Sequence, residues 1–356
     1  MKALILTNPG LEEVSKDEIF SKIPSLAKRD VFIDTALLLH DIDSLEHLKQ
    51  MCSSLYTVNR ILLSQGTLGS PLFSLELIRN KTLAVRCIGF EDSVISASSC
   101  ASQICTVLDK QGCSYKVNLK QPDVLIFCVK GKDQTCLGID FSGDLTKRDY
   151  LIFIHNQALR PTIAASLVHL SEFRGKGILL DPFCGGGTVS IEAALEAKGT
   201  LHQYDAHKFP YLRLLGISEP VLTTPKQETR ARIVGYDLSL HTITSARKNA
   251  KIAGVNKDIE LSAVDAHMLD IKFDEKSVDF IVTHLPLLSR STDMQKTLKL
   301  WDEFLFIARD ILIKRMIVAV NVDAPFEELL SKYAFTLVEK RIIYQGESKL
   351  FVYILE

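Results

Sequence analysis

Residues 179–188 read LLDPFCGGGT, and this stretch decides the fold expected for the second half of the chain. An apolar run ends in an acid, Asp181, and then passes through three glycines into a segment with helical periodicity. Glycines permit positive φ and let a ligand contact the backbone. The stretch has neither the lysine of a phosphate-binding P-loop nor the six-residue glycine pattern of dinucleotide sites. A carboxylate here favours a ligand with an ammonium group or hydroxyls over a pyrophosphate.

Two more acids follow strand-like runs further along the chain. Asp237 ends the sequence GYD at 235–237, and Asp265 and Ala266 follow the apolar run 259–264. Open α/β sheets bind ligands outside the carboxyl ends of their strands. Three acids at three successive strand ends therefore predict one ligand site. For Asp237 the alternative is that it caps the following helix.

Strand-like and helix-like runs alternate around these acids. The predicted elements are Gly177–Leu180, Val189–Ala197, Arg232–Tyr236, Leu240–Ala253, Ile259–Val264, Val278–Thr283, Met294–Ile313, Met316–Val322, Phe335–Tyr344 and Lys349–Leu355. This order predicts a mostly parallel sheet with helices on both faces. The last two runs flank Gly346 and predict an antiparallel hairpin that closes the sheet. Residues 201–229 have no clear period and interrupt the first crossover as an insertion.

The first 150 residues predict two smaller α/β units that meet near Gly66. The predicted elements are Ala3–Thr7, Leu11–Ile23, Val31–Leu39, Ser44–Met51, Val58–Ser64, Leu83–Phe90, Ser93–Leu108, Val124–Lys130 and Thr135–Phe141. Their pattern alone indicates no function.

Composition limits the classes of protein that fit. The 356 residues suggest about two domains. The net charge of −1 excludes a protein that binds nucleic acid through bulk positive charge. The eight cysteines include no Cys-x-x-Cys pair, which favours reduced thiols in a cytoplasmic protein and no metal site. No apolar run approaches the ~20 residues of a membrane span.

Four other features are candidates for a role. His284-Leu285-Pro286-Leu287 follows the fourth predicted strand, where His284 lies over the ligand or caps a turn. Arg160 and Thr162 flank the proline that begins a helix. Lys147 and Arg148 form either an RNA contact or a solvated turn. The only tryptophan, Trp301, falls in the apolar register of its helix and predicts core packing.

Taken together, these residues resemble the THUMP-domain RNA methyltransferases, and among them most closely the tRNA guanine-N2 methyltransferases of archaea and bacteria. The resemblance covers nearly the whole chain. It rests on residues 7–12 (TNPGLE), 138–150 (GIDFSGDLTKRDY), 159–165 (LRPTIAA) and 181–188 (DPFCGGGT), of which the last is the most specific.

The resemblance implies a ferredoxin-like subdomain over residues 1–65, a THUMP domain over 66–150 and a Rossmann-like methyltransferase domain over 151–356. The last would carry a mostly parallel seven-stranded sheet with a C-terminal antiparallel hairpin. The implied cofactor is S-adenosylmethionine, and the implied partner is the 3′ end of tRNA, contacted by Lys147 and Arg148. The residues implied for the cofactor are Arg160, Thr162, Asp181, Phe183, Gly185, Gly187 and Thr188 at the methionine part, Asp237 at the ribose, and Asp265 and Ala266 at the adenine.

The chain departs from the family at the catalytic motif, which reads Asn or Asp, an apolar residue or Pro, Pro, then an aromatic. Here His284, Leu285, Pro286 and Leu287 stand at those positions, and His284, Pro286 and Leu287 are the implied catalytic residues. One interpretation is an active tRNA guanine-N2 methyltransferase. The alternative is a catalytically impaired RNA-binding protein or partner subunit that keeps the fold. Transfer to rRNA guanine or another amine is a third possibility.

Overall fold

The computed structural model describes residues 1–90, 97–132, 134–154, 158–200, 208–220, 230–288 and 293–356. Contacts divide the chain into two units. The first holds Met1–Thr146 together with the described residues of 204–223, and the second holds the described remainder from Lys147 to Glu356. The domain boundaries predicted after residues 65 and 150 stay predictions.

The first unit contains a nine-stranded sheet with the order β2-β3-β1-β4-β9-β8-β6-β7, in which β5 pairs only with β4. Its strands are β1 (Lys2–Leu6), β2 (Val31–Asp34), β3 (Leu37–Asp41), β4 (Arg60–Thr67), β5 (Ser70–Pro71), β6 (Lys81–Ile88), β7 (Tyr115–Val117), β8 (Val124–Lys130) and β9 (Thr135–Asp140). Its first four helices are α1 (Glu12–Lys22), α2 (Leu45–Ser54), α3 (Leu75–Ile78) and α4 (Ala97–Lys110). The start of the helix predicted over Ser93–Leu108 lies outside the described residues.

The sequence predicts one extended run over Val31–Leu39, but the structure shows an antiparallel hairpin of β2 and β3 there. The chain reverses at Thr35 and Ala36, where Ala36 adopts a φ of 60°. The Ala36 N–H donates to Glu12 Oε1 at 2.7 Å. A turn built on a left-handed alanine lacks the glycine or asparagine by which such turns are recognised.

The second unit contains a seven-stranded sheet. In chain order its elements are α5 (Pro161–Leu170), β10 (Lys176–Asp181), α6 (Thr188–Ala197), β11 (Arg230–Asp237), α8 (Leu240–Ile252), β12 (Ile259–Ala263), α9 (Leu269–Lys272), β13 (Val278–His284), α10 (Met294–Ile311), β14 (Leu312–Val320), α11 (Ala324–Leu330), β15 (Leu337–Gln345) and β16 (Ser348–Leu355). Between α6 and β11 the chain contributes α7 (Pro210–Leu215) to the first unit.

The strand order of this sheet is β12-β11-β10-β13-β14-β16-β15. The first five strands are parallel, whereas β16 runs antiparallel to both β14 and β15. The predicted parallel sheet with a C-terminal hairpin is therefore confirmed. After β10 the chain adds β11 and β12 on one side of that strand, and it then adds β13 on the other side. The strand order therefore reverses between β10 and β13, and such a reversal leaves a crevice at the carboxyl ends of these two strands.

Helix α10 ends earlier than the predicted Ile313, and β14 begins at the next residue rather than at Met316. Leu312 already has an extended ψ of 136° and pairs with Val278 at the start of β13. Lys276 Nζ donates to the carbonyl oxygens of Arg309 and Leu312, both at 3.0 Å. Pairing with a distant strand thus overrides the helical period of the local sequence.

Helix α7 lies within the predicted insertion 201–229, of which 201–207 and 221–229 lie outside the described residues. Tyr211 is fully buried, and its N–H donates to Phe141 O at 3.2 Å. Its ring stacks on that of Phe141 with centroids 6.2 Å apart. Lys81 Nζ also donates to Leu214 O at 2.6 Å. The insertion therefore supplies core to the first unit.

One hydrophobic core of the second unit lies between the sheet and α10. Trp301, Phe304, Leu305 and Ala308 are fully buried on one face of that helix, so the predicted core position of Trp301 is confirmed. None of the described helices is both long and apolar enough to cross a lipid bilayer.

Candidate active site

A cavity of about 300 Å³ lies at the carboxyl ends of β10, β11 and β13 in the second unit. This volume is at the lower end of the range of small-molecule sites. The cavity brings together loops that are far apart in the sequence. Its described lining is Ala158, Leu159, Asp181, Pro182, Phe183, Cys184, Gly185, Gly186, Thr188, Val189, Asp237, Leu238, Val264, Asp265, Ala266, His284, Pro286 and Leu300.

The glycine-rich turn forms one wall of this cavity and leads into α6. Gly187 precedes the helix with a φ of 83°, in the left-handed region that favours glycine. A Cβ at this position would lie 3.1 Å from Ala246 Cβ of α8. Gly187 is absent from the lining. Its contribution is to make the turn and to let α6 and α8 approach.

Asp181 is the most buried acid of the cavity, with 2% of its surface exposed. Its Oδ1 accepts a hydrogen bond from Thr283 Oγ1 at 2.7 Å and one from the Phe183 N–H at 3.3 Å. Burial raises the pKa of this carboxyl to about 7, against the effect of the two hydrogen bonds, and the nearby charge of Asp237 adds to the rise. At neutral pH the carboxyl therefore changes protonation readily, and a bound cation would favour its ionised form.

Asp237 contacts the glycine-rich turn and does not cap α8. Its Oδ2 accepts from the Gly185 N–H at 3.2 Å, and its Oδ1 accepts from the Ser239 N–H at 2.9 Å. The helix cap is Ser239, whose hydroxyl accepts from the Thr242 N–H. The geometry therefore favours the ligand-binding interpretation of Asp237 over the capping alternative.

Asp265 and Ala266, which follow β12, also line the cavity. The Asp265 carboxylate caps a short 3-10 turn, because its Oδ1 accepts from the His267 N–H at 3.1 Å. His267 Nε2 in turn lies 3.1 Å from Glu303 Oε2 of α10. The three predicted acids thus meet at one cavity, as the strand-end argument expects.

The loop after β13, here called the β13 loop (His284–Leu288), forms another part of the cavity wall. His284 and Pro286 line the cavity and are half-buried. Leu287 is also half-buried but is not part of the lining. The motif therefore presents an imidazole and a proline ring to the cavity.

Arg160 and Thr162, which were predicted to contact the cofactor, do not belong to the described lining. Arg160 is exposed, and its N–H donates to Gln345 Oε1 at 2.7 Å, whereas Thr162 is fully buried in the first turn of α5. The preceding residues Ala158 and Leu159 line the cavity instead.

Arg148 is unavailable to RNA, which corrects its predicted role. Its side chain and that of Glu192 have 0% exposure, and Arg148 Nε lies 3.1 Å from Glu192 Oε1. Tyr150 OH donates to the same oxygen at 2.7 Å. This buried network fixes the segment before α5 onto α6. Lys147 is exposed, which is compatible with the RNA contact predicted for it.

Three thiols outside this site lie close together in the first unit. The sulfur atoms of Cys87, Cys100 and Cys128 are within 4.8 Å of one another, and Cys87 pairs with Cys128 across β6 and β8. Burial raises the pKa of the Cys87 and Cys128 thiols, which favours their protonated form. Closed zinc sites take four ligands, so this described group is one ligand short of such a site. The predicted absence of a metal stays a prediction.

The sheet with its reversed hairpin and the cavity at the strand-order reversal define a Rossmann-like methyltransferase fold. The chain belongs to the RMKL-like methyltransferase domain family, whose sequence model matches residues 148–350.

Two archaeal relatives carry the same printed name, tRNA (guanine(6)-N2)-methyltransferase. The protein of Methanocaldococcus jannaschii is 35% identical over 237 residues, which are 63% of this chain and 61% of that protein. The protein of Archaeoglobus fulgidus is 27% identical over 283 residues, which are 75% of this chain and 70% of that protein. The match thus spans less than two thirds of the first relative.

Solved structures share the fold along the chain. TrmN from Thermus thermophilus has a TM-score of 0.72 at 21% identity and covers 100% of this chain and 99% of its own. SMU.472, crystallised with S-adenosylhomocysteine (SAH), has a TM-score of 0.78 at 18% identity and covers 99% of this chain and 97% of its own.

Proposed function

We propose that the protein is an S-adenosylmethionine-dependent methyltransferase that methylates the exocyclic N2 amine of a guanine in tRNA. The observation that carries the proposal is the convergence of Asp181, Asp237, Asp265 and His284 on one cavity at the strand-order reversal. Membership of the RMKL-like family and the names of the two archaeal relatives support it.

The residues of the cavity fit the proposed cofactor. Asp181 and the glycine-rich turn would hold the methionine part, where a buried carboxyl suits an ammonium group. Asp237 would accept hydrogen bonds from the ribose hydroxyls. Asp265 and Ala266 would lie at the adenine. When bound, S-adenosylmethionine supplies an electrophilic methyl group attached to a sulfonium.

The β13 loop is the proposed acceptor side. A neutral imidazole accepts one hydrogen bond, so His284 would orient the guanine amine and take up its proton as the N2–methyl bond forms and the sulfonium C–S bond breaks. Pro286 would contact the face of the base.

The first unit is the proposed RNA-docking part, with a ferredoxin-like subdomain over 1–65 and a THUMP domain over 66–150. Shape recognition of a tRNA end would require few cations, which agrees with the net charge of −1. Lys147, an exposed cation at the start of the second unit, is assigned to the same RNA. A tRNA substrate would place the protein in the cytoplasm.

A second candidate is a catalytically impaired RNA-binding protein or partner subunit. The observation that favours it is Leu287, which stands where the family has an aromatic residue for stacking on the base. Base–aromatic stacking contributes ~1–3 kcal/mol per base.

Incubation of the protein with tritiated S-adenosylmethionine and unmodified tRNA tests the proposal. Nucleoside mass spectrometry is expected to find N2-methylguanosine, and guanine 6 is the first position to examine because both archaeal relatives are named for it. Absence of label in RNA from a protein that binds SAH would support the second candidate.

The raised pKa of Asp181 predicts a pH-dependent cofactor affinity. With a pKa of about 7, the ionised fraction rises from about 0.1 at pH 6 to about 0.75 at pH 7.5. Affinity for SAH, whose ammonium would pair with the carboxylate, is therefore expected to rise about eightfold over this range. Calorimetry at several pH values measures it.

Asp181→Asn is the matched control, because it keeps the shape and removes the titration. The ratio of wild-type to variant affinity corrects for titration of the ligand itself. In the ligand-free protein, folding raises the pKa of the Asp181 carboxyl. The contribution of this carboxyl to the free energy of unfolding is therefore lost as the pH rises towards 7. Equal pH profiles for the two proteins would contradict the prediction.

A further inference from the structure

The backbone of the β13 loop is held by hydrogen bonds from three separate places. The Leu285 N–H donates to Ala319 O at 3.0 Å. Trp301 Nε1 donates to Pro286 O at 3.2 Å. Asn321 bonds Leu288 twice, with its Oδ1 accepting from the N–H at 3.1 Å and its Nδ2 donating to the carbonyl at 2.7 Å.

Two of these anchors are side chains that do not line the cavity. Trp301 is 0% exposed, and its ring packs edge-on against Phe326 with centroids 5.9 Å apart. Asn321 follows the last residue of β14 and is half-buried. Both side chains therefore contact the loop on the side away from the cavity, and neither contributes to the cavity surface.

The chemistry of the loop explains why these particular side chains stand there. Pro286 has no N–H, so its carbonyl oxygen is the one backbone hydrogen-bonding group that this residue offers, and the indole N–H reaches it. A phenylalanine at 301 would pack similarly but would donate nothing. The carboxamide of Asn321 offers both a donor and an acceptor, which lets it bond Leu288 as a neighbouring strand would.

Helix α10 also supports the other loops of the cavity. Phe304, one turn after Trp301, packs edge-on against Phe183 of the glycine-rich turn with centroids 5.3 Å apart. Glu303 lies 3.1 Å from His267 in the loop after β12. One helix thus contacts all three loops, and it sets the separation between the cofactor side and the acceptor side.

We propose that Trp301 and Asn321 are positioning residues that hold the β13 loop in register with the methyl donor. The proposal rests on the proposed function, because it assigns the loop to the acceptor base. Methyl transfer needs the reacting atoms close together and aligned, and a displacement of about 1 Å can cost up to ~100-fold in rate. Cofactor binding, which uses other loops, does not depend on these two side chains.

Trp301→Phe and Asn321→Ala test this assignment. Each is expected to lower kcat for methylation of unmodified tRNA by about tenfold, with unchanged KM for tRNA and unchanged SAH affinity. Tyr333→Phe is the matched control, since it removes a hydrogen bond from the Tyr333 hydroxyl to Asp302 on the same helix, 2.9 Å long, without touching the loop. Unchanged kcat in both variants, or an equal loss in the control, would overturn the proposal.

A second measurement is independent of turnover. Trp301 is the only tryptophan, so intrinsic emission reports on the β13 loop in the SAH-bound protein. Loss of the Asn321 bonds is expected to loosen the loop in Asn321→Ala, so acrylamide quenches its indole emission more strongly than in the wild type and in Tyr333→Phe. Stronger quenching in Asn321→Ala, when the wild type does not methylate tRNA, would refute the proposed activity while supporting the anchor. Equal quenching in the three proteins would refute the anchor, whatever the activity.

Discussion

Glu192→Ala is expected to destabilise the second unit by about 3–5 kcal/mol, because it removes the carboxylate that forms an ion pair with a buried guanidinium. Arg148 and Glu192 have fully buried side chains joined by bonds of 3.1 and 3.3 Å. Tyr150 loses its acceptor in the same variant. Replacing one partner is far more costly than replacing both, since the charge that remains in the core cannot regain its hydration. Urea unfolding followed by circular dichroism measures the loss.

Two controls separate the buried charge from the loss of a side chain. Glu260→Ala removes an ion pair with Arg232 whose two side chains are about half exposed, so a loss of at most ~1 kcal/mol is expected. The double variant Arg148→Met/Glu192→Leu removes both charges and is expected to recover much of the stability lost in Glu192→Ala. A loss below about 1 kcal/mol in Glu192→Ala would show that the guanidinium finds other partners.

This network shows a limit of sequence reasoning. The string Lys147-Arg148-Asp149-Tyr150 allows both an RNA contact and a solvated turn, and the structure shows neither for Arg148. Its partner, Glu192, lies 44 positions away on α6, and no local pattern indicates that pairing. The sequence also does not indicate that α7 belongs to the first unit, because the contact of Tyr211 with Phe141 joins residues far apart in the chain.

The fold of the second unit could be predicted because its signals are local and repeated. Alternating strand and helix periods give the parallel order, and each acid after a strand marks the same edge of the sheet. The approximate position of the cavity follows directly. The hydrogen bond from Thr283 to Asp181 does not, because it joins the ends of two strands. Likewise, no local pattern indicates that Ala158 and Leu159, rather than Arg160 and Thr162, line the cavity.

Leu287→Tyr is expected to raise kcat/KM for unmodified tRNA by about 5- to 150-fold. Stacking contributes ~1–3 kcal/mol per base, and each 1.4 kcal/mol is a factor of ten. Residue 287 lies between Pro286 and Leu288, whose backbones are held by hydrogen bonds from Trp301 and Asn321. A tyrosine ring at position 287 would therefore be attached to a fixed backbone. Methylation rates under single-turnover conditions and SAH affinity measure the effect, and the affinity should not change. Ile271→Tyr, which adds a ring at a position that is 70% exposed, controls for a nonspecific gain.

The response of the β13 loop to this change also decides between the two candidate functions. If His284 serves as the acceptor of the amine proton, Leu287→Tyr alone increases an activity that the wild type already has, and His284→Ala abolishes it. If the wild type is inactive, activity should appear only when His284→Asn and Leu287→Tyr are combined, because an amide oxygen and a ring are then both restored. A loss of activity in Leu287→Tyr alone would indicate that the tyrosine ring occupies the space of the base. Leu287 would then leave room for an acceptor base that Pro286 and His284 contact without a stacking ring.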